Sequence, residues 1–359
     1  MMSLAHFLMK FRERIRARYE EYLVITIETL ASAIIGFSIG ALVLYILGFN
    51  PAKIYFILFS KGLSNPNYLL SKSTPIMLTG LAFAIPMLAG VFNIGGEGQL
   101  YIGALISLIV VTSTHNPALG ILAGMVAGAA LGTFKAVLKV YRGVNEVIAA
   151  IMLNWVMYFL ILYLLTEKLY NPQIPHESIP VPEDARLGKI PTPIGDIRLI
   201  FFIAVIASLI IYYILYYTNI GYMLRVAGLS PKTAKYAGFN PNLAIIYSMA
   251  LGGAMAGLGG SLLLIGYVYS IDTTMSTLFG LGFTGIGVAL LGRNNPIGII
   301  FSAIFFSMLI IGGEMIELLA GAPPELADVL TGVIVIALAL PYMYRMLISY
   351  MRIRRLIKK

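Results

Sequence analysis

Apolar runs long enough to cross a bilayer recur along almost the whole chain, and they decide what it can become. A spanning helix needs about 20 largely apolar residues, and such stretches lie near 22–49, 75–92, 99–114, 117–139, 145–166, 199–218, 242–268, 276–292, 296–313 and 326–345. Only 11% of the 359 residues are charged, against 59% hydrophobic, where soluble domains carry about 25% charged residues. The expected fold is therefore all-α, a polytopic membrane helical bundle of about ten transmembrane helices. The first run is far longer than the apolar core of a signal peptide, so it reads as an uncleaved span behind a basic, amphipathic start.

Several runs open on the same punctuation, a capping side chain followed by proline at the first helical turn: Thr74-Pro75, Asn116-Pro117, Asn240-Pro241 and Asn295-Pro296. Basic residues set the orientation, because basic loops stay on the cytoplasmic side. With ten spans and both termini inside, most of the 25 Lys and Arg, Lys135 and Lys139 among them, fall on the inner face. That gives a cytoplasmic basic segment at 1–21, a transmembrane domain at 22–345 and a cytoplasmic basic tail at 346–359, in a plasma-membrane, multi-pass protein with lipid around it. The net charge of +9 is thus a topology signal and not a nucleic-acid footprint. The Pro-rich segment 167–198 falls outside, as a rigid cover or a solvated loop.

The central loop, 219–242, holds the best-defined element outside the membrane. Ser230 is a good N-cap, Pro231 suits the first helical position, Lys232, Thr233, Ala234, Lys235, Tyr236 and Ala237 make under two turns, and Gly238 supplies a left-handed terminator. So short a helix is unstable alone, and must dock on the protein's own cytoplasmic ends or on a partner. Span order on either side of this loop is consistent with an inverted repeat.

Polar residues inside the apolar runs are the candidate site. The stretch 91–100 interrupts two spans with three glycines and with Asn93, Glu97 and Gln99. Irregular backbone at such depth requires protein or a water-filled cavity around it, so these residues line a translocation path through a helix break, or they form a tight turn with Glu97 solvated. Asn145 and Glu146 open the fifth span and are further candidates for the translocation path, or Glu146 is there only because the helix dipole favours a carboxylate. Asn154 lies two turns deeper and must face the bundle interior, touching either substrate or a neighbouring helix. The glycine stripes Gly120, Gly124, Gly128, Gly132 and Gly252–Gly260 read as close helix packing. With no Cys and three scattered His, no metal site is expected. No phosphate-binding loop or nucleophile elbow is present, so the chain is expected to be no enzyme and to bind no cofactor itself.

Four stretches resemble the permease subunits of ABC importers for ribose, branched-chain amino acids and nucleosides: F-N-I-G-G-E-G-Q at 92–99, G-V-N-E-V-I at 143–148, L-R-V-A-G-L-S-P-K-T-A-K-Y-A-G at 224–238 and G-I-G-V-A-L-L-G-R-N-N-P-I-G at 285–298. The resemblance spans about residues 25–345 and is nearest the nucleoside or simple-sugar branch; Arg293 departs from a more usual Gly. It implies a second permease subunit, identical or different, an ABC ATP-binding subunit that holds the ATP, and an extracytoplasmic substrate-binding lipoprotein. It also implies that 230–238 is the coupling helix. Two other readings stay open: an ion-coupled secondary transporter using Glu97 or Glu146, and a membrane scaffold without transport.

Overall fold

The computed structural model describes residues 34–193, 195–323, 326, 328–334, 336 and 337. The chain divides into two compact units, Met1–Leu58 with Gly313–Lys359, and Phe59–Gly312. In the first, helix α1 (Ile34–Ile46) meets the start of α2 (Pro51–Gly62), where the Tyr55 hydroxyl donates to the Phe37 carbonyl at 2.7 Å. The basic termini expected at 1–21 and 346–359, and most of the span at 326–345, lie outside the described residues.

The second unit holds the candidate site. Its helices are α3 (Pro66–Leu88), α4 (Gly96–Thr114), α5 (Pro117–Arg142), α6 (Glu146–Glu167), α7 (Leu199–Tyr217), α8 (Asn219–Leu229), α9 (Pro231–Tyr236), α10 (Pro241–Leu263), α11 (Leu281–Leu291) and most of α12 (Pro296–Ala320). Seven helices among the described residues are long and apolar enough to cross a membrane, and α1 and α11 are shorter apolar helices. The fold is an all-α polytopic bundle.

The Asn-Pro boundaries hold at three places. Asn116 caps α5 by accepting from Ala118 and Leu119 N–H, Asn240 caps α10 by accepting from Asn242, and Asn295 Oδ1 accepts from Ile297 N–H. The Thr74-Pro75 boundary is corrected. Helix α3 already starts at Pro66 behind the Asn65 cap, and Pro75 and Pro86 lie inside it. Thr74 Oγ1 donates back to the Leu70 carbonyl at 3.1 Å, the bond of a residue within a helix and not of one that begins it.

Glycines bring the central helices together. Helix α10 packs on α5, α3 and α4. A Cβ on Gly128 would overlap the Gly253 carbonyl, and one on Gly257 the Gly124 carbonyl, so the α5 and α10 stripes form one backbone-to-backbone seam. Ser261 Oγ, on α10, donates within the seam to the Gly257 carbonyl at 2.9 Å.

The central loop is also corrected, because most of it is helical. Thr218 caps α8, and Ser230 both ends α8 and caps α9. The apolar run 276–292 shortens to α11, preceded by an irregular segment with positive φ at Met275 and Gly280. The 167–198 segment is built rather than loose: a Lys189–Thr192 and Gly195–Arg198 hairpin, with bridges from Tyr170 to Ser178 and from Glu177 to Asp272.

Candidate functional site

The interrupted stretch 91–95 joins α3 to α4, and its polar residues point in two directions. Asn93 turns inward, 1% exposed. Its Nδ2 donates to the Ala82 carbonyl (2.9 Å) and to Gln99 Oε1 (3.1 Å), and its Oδ1 accepts from Gly95 N–H (3.2 Å) and from Lys135 Nζ (2.7 Å). Gln99 and Lys135 are just as buried. Sequence reasoning placed Lys135 with the cytoplasmic bases; the structure puts its ammonium in the bundle interior with Asn93 as partner. It follows Gly132 by three residues, and so shares the buried face of the glycine stripe.

Glu97 turns the other way. It occupies the first turn of α4, and its carboxylate reaches the N-terminus of α11. Oε1 accepts from the Tyr101 hydroxyl (2.6 Å) and Gly280 N–H (2.5 Å); Oε2 accepts from Gly282 N–H (2.6 Å) and Phe283 N–H (3.3 Å). The amides that α11 leaves without intrahelical partners are satisfied by a side chain from another helix. A carboxylate is the right group for the task, since the amides and the dipole both favour negative charge. Gly280 makes the approach possible by holding φ at 83°, a conformation open chiefly to glycine. The solvated-turn alternative is overturned, for Glu97 is 2% exposed.

Asn154 links the break to α6. Its Oδ1 accepts from Gly98 N–H (2.9 Å) and its Nδ2 donates to the Ile94 carbonyl (3.2 Å). A side chain at Gly98 would run into Asn154, so the glycine is what lets α4 and α6 close on each other. Asn145 and Glu146 stand apart: Asn145 caps α6 through Val147 and Ile148 N–H, and Glu146 pairs with Lys139 at 2.6 Å.

Of the six polar candidates, Glu97 and Asn154 line an open recess of about 60 Å³, completed by Tyr101, Ile151, Trp155, Tyr158, Phe279 and Phe283. Tyr158 lies edge-on to Trp155 (5.6 Å between centroids) and to Phe279 (6.2 Å). These rings went unnoticed in an apolar run, yet Ile151, Asn154, Trp155 and Tyr158 follow the 3–4–7 spacing of one helix face, and Tyr101 is one turn from Glu97. Nothing local in sequence could have disclosed Phe279 and Phe283, which reach the recess through the Glu97 contact.

The matching family model is described as a branched-chain amino acid transport system/permease component and matches residues 65–339. Similar curated proteins include a nucleoside ABC transporter permease protein of Lactococcus lactis, 32% identical over 89% of this chain and 92% of that protein. A guanosine ABC transporter permease protein of Bacillus subtilis is 30% identical over 90% and 95% of the two chains. A glucose ABC transporter permease protein of Haloferax volcanii is 30% identical over 84% and 83%.

Proposed function

The chain belongs to the family of branched-chain amino acid transport system permease components, and from that premise we propose how it works as the membrane-spanning permease of an ABC importer for nucleosides or sugars. Permease components are not themselves enzymes, so the chemical energy enters from outside the chain. In our reading ATP sits on a separate ATP-binding subunit, a second permease copy or homologue completes the path, and an extracytoplasmic lipoprotein delivers the solute. Both termini then face the cytoplasm.

The observation that carries this reading is α9. Ser230 Oγ accepts from Thr233 N–H at 3.3 Å, and Gly238 ends the element at φ 82°. Ala234 is fully buried against the protein's own helices, so it is not the residue offered to a partner. Its burial anchors the element, while Tyr236 stands 91% exposed beside it and Leu229, at the end of α8, 87%. A rigid knob with a large exposed aromatic ring is suited to receive force from another subunit, and such rings often dominate interface energetics. The test is co-purification with the ATP-binding subunit together with solute uptake in proteoliposomes. Tyr236→Ala should lose the subunit by roughly 2 kcal/mol of binding with the bundle intact; retained binding and coupled uptake would remove α9 from the energy path.

An ion-coupled carrier is less well served. Glu97 has its acceptor positions filled by protein donors and Glu146 holds Lys139, which leaves neither carboxylate free to take up a cation.

A further inference from the structure

The Glu97 recess has an unusual division of labour. Its polar floor is fully engaged within the protein: four donors fill the Glu97 carboxylate, about the number its lone pairs accept, and both ends of the Asn154 amide are bonded. What remains for a guest is aromatic. Trp155 and Phe279 are 51% and 57% exposed, and no lining residue is cationic. A hexose, whose hydroxyls need donors and acceptors, finds few there; a flat heterocycle finds ring faces, and stacking on such faces does not depend on hydrogen-bond readout. The indole N–H of Trp155 and the hydroxyl of Tyr158 are the polar handles left at the edges of those rings.

We propose that this recess is a cargo subsite that stacks a neutral heterocyclic base on Trp155, Tyr158 and Phe279, with Glu97 as the positioning residue that holds Phe279 and Phe283 in place and bars phosphorylated cargo. The inference rests on the transport reading and selects nucleosides over sugars within it. The exclusion of phosphate follows from occupancy and sign. The N-terminus of α11 would be the natural anchor for a phosphate, but Glu97 already fills it, and the carboxylate repels a second anion at short range.

Trp155 is the only tryptophan in the chain, so its fluorescence reports on the recess directly. The full chain in lipid nanodiscs is titrated with guanosine, guanosine monophosphate and glucose. Guanosine should quench saturably, the monophosphate about tenfold or more weakly, and glucose not at all. Tyr158→Ala and Phe279→Ala, which keep the reporter, should weaken guanosine by about five- to a hundredfold, the range of one lost stack. Glu97→Gln should narrow the guanosine-to-monophosphate ratio by tightening the monophosphate, a gain that a purely structural defect would not produce. If that variant does not fold, the wild-type ratio alone decides the exclusion. Equal quenching by guanosine and its monophosphate overturns the role of Glu97. Quenching by glucose, indifference to Tyr158→Ala, or quenching by brominated lipid that guanosine does not relieve overturns the base subsite. ATP-driven glucose uptake without guanosine quenching would leave the importer reading standing and sink the subsite; guanosine quenching with uptake independent of ATP would do the reverse.

Discussion

Asn93 and Lys135 offer a test in which the sign, and not only the size, of an effect is set by the structure. Asn93→Leu keeps the volume but removes four hydrogen bonds, to Ala82, Gln99, Gly95 and Lys135. The Lys135 ammonium, 1% exposed, is then buried without that partner. Leaving a buried charged donor without its hydrogen-bond partner costs roughly 3 kcal/mol, against about 1 kcal/mol or less for each of the other three bonds inside a bundle. Lys135→Met removes the charge and fills similar space, and Asn93 Oδ1 still accepts from Gly95; its cost should stay within about 1 kcal/mol of zero. The double variant should therefore be more stable than Asn93→Leu alone, by roughly 2–3 kcal/mol, a coupling at the upper end of those found for contacting residues. Reversible unfolding in mixed micelles, followed through helicity, closes the cycle. Strict additivity, or a Lys135→Met penalty as large as that of Asn93→Leu, would refute the claim that an isolated buried ammonium governs this network.

Three further outcomes follow from other parts of the fold. Gly128→Leu drives a side chain into the Gly253 carbonyl and the Gly257 backbone, so it should destabilise the bundle by at least about 1–3 kcal/mol, seen as a lower melting temperature or failure to assemble. At Asp272 burial raises the carboxyl pKa, but hydrogen bonds from Thr274, from Ser276 N–H and from further groups outweigh it and hold the value below the usual carboxylate range. The sign is that of a depressed acid: its contribution is complete above about pH 4 and is lost as pH falls through the folded value. Protection factors of the 270–278 amides, corrected for the intrinsic pH dependence of exchange, should fall on acidification, and Asp272→Asn should flatten that dependence. For topology, Lys189→Cys and Thr233→Cys are both at exposed positions and should label from opposite sides of the membrane with an impermeant reagent, whereas Ser178, being buried, is a poor reporter. Labelling from one side would overturn the orientation drawn from the basic residues.

Local chemistry was legible and long-range pairing was not. Asn116, Asn240 and Ser230 announce their helices because a cap acts within three residues. Thr74-Pro75 carries the same dipeptide logic but fails, because Asn65-Pro66 had already begun the helix and proline is tolerated in spans where neighbours re-satisfy the backbone. The glycine stripes were read as packing, and the seam between α5 and α10 is that packing. At 91–100 the sequence revealed a helix break but not its purpose. The backbone partners of Glu97 lie 183 and more residues away, and no spacing rule connects a carboxylate to the start of a helix in another part of the chain. Lys135 was misplaced for a related reason: charge asymmetry counts bases by their loop, whereas the glycine stripe on its own helix shows which way the side chain turns.

The carboxylates of this bundle bear on how transport can be energised. A carrier driven by an ion gradient needs an acid that alternates between a free and an occupied state, and the protein must survive both. Glu97 is poorly placed for such a cycle, because each donor it releases is an amide at the start of α11 or the hydroxyl of Tyr101, and unpaired donors at membrane depth are costly. Glu146 is tied to Lys139 at the start of α6, where the helix dipole already favours its charge. Motion in such a bundle is most economically imposed from outside, on an element whose own bonds do not change as it moves. Helix α9 meets that condition: its cap is internal and Ala234 anchors it, while the Tyr236 ring makes almost no contact with the rest of the chain. Force applied at Tyr236 would pass through α9 to α8 and α10, on which it packs, and from α10 into the glycine seam with α5. Along that seam backbone lies against backbone, with no long side chain between to absorb the displacement.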